Sequence, residues 1–88
     1  MQEIISGKRY NTDTAKVIAQ QNHYNNGNYS GTSHLCVTPK GNLFKWRDTN
    51  GQDLYLRDEI WIEDTINIDG YTIFDEALAT KYSIIDEA

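Results

Sequence analysis

The sequence predicts a small α+β domain: an antiparallel sheet made of a hairpin and a meander, one helix in the N-terminal half, and one C-terminal helix. Three observations predict it. Glycine-bearing turns separate short β-branched and aromatic runs. Apolar residues spaced i, i+3, i+4 occur early in the chain and again near its end. With 88 residues there is room for one domain, 1–88, and only a thin core.

The first element is a hairpin, Ile4-Ile5-Ser6-Gly7-Lys8-Arg9-Tyr10, around a Ser6-Gly7 or a Gly7-Lys8 turn, because glycine supplies the positive φ of a tight turn. A helix is expected next. Asn11 or Thr12 would cap it, Asp13 suits the positive end of its dipole, and Ala15, Ile18 and Ala19 form one stripe. Asn22–Gly31 has four Asn, two Gly and no aliphatic residue, and reads as a loop. Its tyrosines, Tyr24 and Tyr29, offer contact area at low entropic cost, as a binding loop requires, or else cover the edge of the core.

Ser33–Thr38 and Leu43–Arg47 flank Pro39-Lys40-Gly41-Asn42 and make the clearest hairpin signal. Leu35 and Val37 share one face, His34 and Cys36 the other, and Phe44 and Trp46 alternate against Lys45 and Arg47. Asn50-Gly51 would turn the chain back into Leu54-Tyr55-Leu56, extending a meander. Glu59–Glu63 is a further strand, with Ile60 and Ile62 facing the core. Trp61 lies on its reverse side, covered by the C-terminal helix or else a contact residue. Asp69-Gly70 suggests a small hairpin over 66–73. Thr72-Ile73-Phe74-Asp75 resembles a capping box that starts a helix running to Tyr82.

Charge is unevenly distributed. Residues 1–47 carry six Lys/Arg and two acids, whereas residues 48–88 carry two Lys/Arg and eleven acids, for a net charge of −5. Such a split either makes the molecule a dipole, with a face that attracts basic partners and repels nucleic acid, or is a solvated acidic surface that keeps a small protein in solution. With the chain acidic as a whole, direct nucleic-acid binding is not expected despite the basic run Phe44-Lys45-Trp46-Arg47. The single Cys36 excludes an internal disulfide. No apolar run spans a membrane, and Met1-Gln2-Glu3 does not open a signal peptide, so a cytoplasmic protein with no membrane partner is expected.

Little in the chain supports catalysis. His34 and Cys36 lie two apart on one strand face, without the turn that exposes a nucleophile. Paired acids such as Asp58-Glu59 and Glu63-Asp64 are sequence neighbours, which point to opposite faces of a strand. No zinc spacing, calcium loop or phosphate-binding glycine motif occurs. The expectation is a non-enzyme with no catalytic residue, metal or cofactor.

Ile5-Ser6-Gly7-Lys8-Arg9-Tyr10-Asn11-Thr12-Asp13-Thr14-Ala15 resembles the I-x-G-K-x-Y-[DN]-T-x-T-A start of small accessory proteins of phages and bacterial mobile elements. Thr38–Phe44 and Glu76-Ala77 stand where those proteins carry a T-x-K-G-N-x-F hairpin and an acidic helix. Residues 48–68 depart from that pattern. The resemblance implies a mobile-element accessory protein and not an activity, but small acidic proteins of such elements are often inhibitors of host defence nucleases, anti-CRISPR proteins among them. Together with the acidic C-terminal half, the tyrosine-bearing loop and the lack of a catalytic constellation, this leads to the expectation of a protein that binds and inhibits a host defence complex, its partner a CRISPR-associated nuclease or surveillance complex. The expected partner-binding residues are Tyr24, Tyr29, Asp58, Glu59, Trp61, Glu63 and Asp64. The alternative is a structural or regulatory protein that self-associates, as a homodimer, through Trp61 and an open sheet edge.

Overall fold

The computed structural model describes residues 1–49 and 57–85. The described residues form β1 (Gln2–Ile5), β2 (Lys8–Asn11), β3 (Lys16–Asn25), β4 (Asn28–Val37), β5 (Leu43–Asp48), β6 (Glu59–Trp61), β7 (Thr72–Ile73) and α1 (Glu76–Lys81). Strands β1 and β2 pair as a separate ribbon, and the other five form an antiparallel sheet in the order β6-β5-β4-β3-β7. The fold is therefore mostly β with one short helix among the described residues, and the α+β expectation of two helices is corrected.

The N-terminal-half helix is in fact strand β3. A register shift between Val17 and Ala19 accommodates Ile18 as a bulge. Ile18 and Ala19 are then both fully buried in one core cluster. Adjacent buried residues break the period of two that marks a strand, and with Ala15 they imitate a helical stripe. Partners along almost the whole of β4 outweigh the weak local helix preference of Ala15–Gln21.

The expected loop at 22–31 is also strand. Asn26 (φ 53°) and Gly27 (φ 81°) form a two-residue turn in which both central residues have positive φ, the geometry favoured by hairpins with Asn-Gly. Hairpin β1–β2 forms as expected, and of the two turns that the sequence allows, Ser6-Gly7 and Gly7-Lys8, it uses Ser6-Gly7. The β4–β5 hairpin pairs Ser33 with Arg47, Leu35 with Lys45 and Val37 with Leu43. The meander turn at Asn50-Gly51 and the strand Leu54–Leu56 lie outside the described residues.

Near the C-terminus, Ile68 and Tyr71 close a turn around Gly70, but the strand that follows pairs with β3 rather than folding back on 66–68. The amides of Phe74 and Asp75 bond to the Ile18 carbonyl, which keeps Thr72 and Ile73 extended. The helix cap is consequently Asp75, whose carboxylate accepts the Leu78 N–H at 3.0 Å, and not Thr72.

Both faces of the sheet are covered, which explains why β4 is buried from Ser30 to Val37. On one face Ile18, Ala19, Leu35 and Val37 pack with Ala79 of α1 and with Ile66, Ile68 and Ile73. On the other, Cys36, Phe44 and Ile60 pack under Tyr10 of the β1–β2 ribbon, with the Tyr10 and Phe44 rings edge to face at 5.4 Å. No helix among the described residues is long and apolar enough to cross a membrane.

Candidate functional site

On the α1 side of the sheet, register places Ser33, Arg47 and Glu59 in one row across β4, β5 and β6, and Leu35, Lys45 and Trp61 in the next. The segment 62–71 crosses this face and leaves a cleft of about 300 Å³, whose walls include Gln21, His23, Ser33, Lys45, Arg47, Glu59, Trp61 and Glu63.

Lys45 anchors the cleft. It is only 3 % exposed, yet its ammonium is satisfied on several sides. Nζ lies 2.8 Å from Glu63 Oε1, donates to the Asn67 carbonyl, and sits 4.6 Å from the centre of the Tyr71 ring. Glu63 also accepts the Trp61 indole N–H and the Asn67 amide, each at 3.2 Å. Burial pushes the Glu63 carboxyl up. The hydrogen bonds from Lys45, Asn67 and Trp61 outweigh that, so it titrates below the ordinary glutamate value. This cluster ties segment 62–71 to the sheet.

At the other end of the cleft, His23 Nε2 lies 2.6 Å from Ser33 Oγ. Burial, and then the nearby Arg47 charge, hold His23 below its ordinary value, so the ring is neutral at pH 7. A serine beside a neutral histidine has the composition of a nucleophile and its base, but among the described residues no carboxylate bonds the His23 ring to orient it as a base. The pair is a hydrogen bond within the wall. Arg47 is half-buried, and its Nε is fully buried without a hydrogen-bond partner.

His34 and Cys36 share the opposite face, as expected. His34 Nδ1 meets Gln20 Nε2 at 2.8 Å, and its ring stacks on Trp46 at 4.6 Å. Burial pushes the Cys36 thiol up to about 12, so it is protonated and unreactive at neutral pH. Among the described residues, no group of three or more His, Cys, Asp or Glu side chains could hold a metal ion.

The structure brings Glu59, Trp61 and Glu63 together in the cleft wall. Asp58 sits just before β6 and accepts the Thr49 amide at 2.9 Å and the Thr49 hydroxyl at 2.8 Å. These two bonds lower its carboxyl below the ordinary aspartate value. Glu59 and Asp64 are exposed, Ile62 is 40 % exposed, and Trp61 is half-buried. Tyr24 and Tyr29 lie elsewhere, opposite each other at the tip of the β3–β4 hairpin, with rings edge to face at 6.1 Å. Tyr29 is held by a hydrogen bond to Thr32, whereas Tyr24 is 64 % exposed. Tyr24 and Phe74 line a separate groove beside β7.

Sequence reasoning did not place His23 or Ser33 in a site, and it read Lys45 and Arg47 only as a basic stripe. The available signal was two cations at alternate positions of a strand whose intervening residues, Phe44 and Trp46, are core-type. Charges that alternate with core residues on a central strand must either reach solvent or find internal partners. A second basic feature lies near the β4–β5 turn, where Lys8, Arg9 and Lys40 line a groove of about 440 Å³.

Comparison with known proteins finds no match: no family model, curated protein or solved structure is similar enough to place the chain in a family.

Proposed function

We propose that this chain is a non-enzymatic binding protein that docks on a basic surface of a host protein through the acidic rim formed by β6 and the segment after it. The observation that carries this reading is the rim itself: exposed Glu59, Ile62 and Asp64 stand beside Trp61 and Glu63, which the buried Lys45 locks from within. A rim already held in place loses little entropy on binding, and its charge favours fast encounter with a cationic partner. The target class in this reading is a nucleic-acid-processing defence complex in the bacterial cytoplasm, of the kind that small acidic mobile-element proteins often inhibit, and the protein would act by occupying its basic channel. Tyr24 at the hairpin tip is the second contact point in this reading.

The test separates charges that face solvent from those that hold the fold. Glu59→Lys with Asp64→Lys should weaken partner binding and flatten its salt dependence while leaving the thermal midpoint nearly unchanged. Undiminished inhibition by that double variant would defeat the acidic-rim reading.

A second reading, self-association, is favoured by one observation. Strand β7 pairs with β3 only at Ala19 and Gln20, leaving the outer edge of Gln21–Asn25 without a strand partner among the described residues. Uncharged edges of this kind are prone to pair with another chain. A mass that stays monomeric over a wide concentration range would exclude it.

A further inference from the structure

The two cations of β5 in the cleft are treated differently by the fold. Lys45 is fully engaged by Glu63, Asn67 and Tyr71. The Arg47 side chain, two residues further on, has no hydrogen bond or ion pair among the described residues, although its Nε is completely buried. A guanidinium has five N–H donors and no acceptor, so only an acceptor, and best an anion, can satisfy it. Glu59 stands opposite Arg47 in register on β6, but does not come within ion-pair distance. The other carboxylates lining the cleft among the described residues are Glu63, already neutralised by Lys45, and Asp69, and neither lies within ion-pair distance of Arg47.

Next to Arg47 are two further groups able to donate to the same ligand. Ser33 faces Arg47 across the β4–β5 pairing, and His23 lies within hydrogen-bond distance of Ser33. We infer that Arg47, Ser33 and His23 form a receptor for a small oxyanion, a carboxylate or a phosphate. The planar fork of the guanidinium suits two oxygens of such a group, the Ser33 hydroxyl and the His23 ring lie at its side, and the cleft has room for it. This inference rests on the cleft and does not depend on the acidic rim docking on a partner.

Binding should also change the state of His23. The charged groups that share the cleft with it are Arg47, Lys45, Glu59, Glu63 and Asp69. In the free protein burial and Arg47 keep the ring neutral. An anion seated between them would offset the Arg47 charge and favour the imidazolium, so binding should tighten as the pH falls and take up a proton.

The experiment is a nuclear magnetic resonance titration of the whole protein with inorganic phosphate and, separately, with acetate, following the Arg47 Nε–H and His23 ring signals. The expected result is saturable shifts at both residues in the millimolar range, with His23 titrating at higher pH when the anion is present. Preference for phosphate or for acetate identifies which oxyanion the site takes. Arg47→Gln, with its fold checked in the same spectra, should weaken binding by at least about tenfold, and Glu59→Gln should strengthen it. Absence of saturable shifts in the wild type would overturn the inference. So would shifts centred on Lys8, Arg9 and Lys40, or binding that appears only once Glu59 is replaced, which would make Glu59 the partner of Arg47 in solution.

Discussion

Removing the carboxylate of Glu63 should destabilise the protein far more than a typical surface charge change. Its partner Lys45 is 3 % exposed, whereas the Glu63 side chain is 27 % exposed. Breaking a fully buried pair from one side costs about 3–5 kcal/mol, because a charge is left without its partner. Partial access of water at Glu63 reduces that, so Glu63→Gln should cost about 2–3 kcal/mol. A domain of this size has roughly 4–13 kcal/mol of stability in total, and the loss should lower its melting temperature by about 10–20 °C. Lys45→Met should cost a similar amount, since it strands the carboxylate and releases the Asn67 carbonyl. The double variant Lys45→Met with Glu63→Leu should recover much of the loss, because apolar residues often replace a buried pair at little cost. Urea unfolding of the four proteins closes the cycle. Single-variant losses below about 0.5 kcal/mol, or a coupling near zero, would refute the reasoning that this pair anchors segment 62–71.

Other outcomes follow from the same structure. Asp58 and Glu63 both titrate below their unfolded values, so the stability they contribute is present above about pH 4 and is lost as the pH falls below it. Asp58→Asn should flatten that acid limb in urea midpoints measured against pH. His23 and His34 are likewise held below their ordinary value, chiefly by burial, so the unfolded chain takes up protons first. Stability should therefore rise with pH from about 5 to about 7, and a variant with both histidines changed to Gln should lose that slope. Gly31→Ala should cost about 2 kcal/mol or more, because φ is +125° and the added Cβ would meet the Asp48 carbonyl oxygen at 2.6 Å. Gly27→Ala has open space around it and should cost only about 1 kcal/mol, the price of its positive φ.

Hairpins with local turn chemistry were legible in the sequence. Ser6-Gly7 and Thr38–Asn42 turn where they should, and β4 and β5 pair in a register that keeps Phe44 and Trp46 on the face of Cys36 and His34. Strand β3 was not legible, because its bulge buries Ile18 beside Ala19 and so disguises the alternation. The Asn26-Gly27 turn carried a strong hairpin signal of its own, but the polar residues around it resembled a loop. They can form strand because the tip of β3–β4 projects beyond the pairing with β5, where nothing requires an apolar face. The candidate site was half legible. Glu59, Trp61 and Glu63 do meet, but the groups that give the cleft its character, Lys45, Arg47, His23 and Ser33, come from three different strands. Only the pairing of β3 with β4 and of β4 with β5 brings them together, and no local pattern encodes that. The acidity of the C-terminal half was plain, whereas the division of labour within it was not: Asp58 and Glu63 serve the fold, and Glu59 and Asp64 face solvent.

The most direct test of the central claim is an affinity pull-down from host lysate with the tagged wild-type protein and the Glu59→Lys/Asp64→Lys variant side by side, read by mass spectrometry. The expected result is stoichiometric recovery of a nucleic-acid-processing protein by the wild type, released at high salt and absent with the variant. Equal recovery of the same partner by both proteins, or of the bait alone, would contradict it.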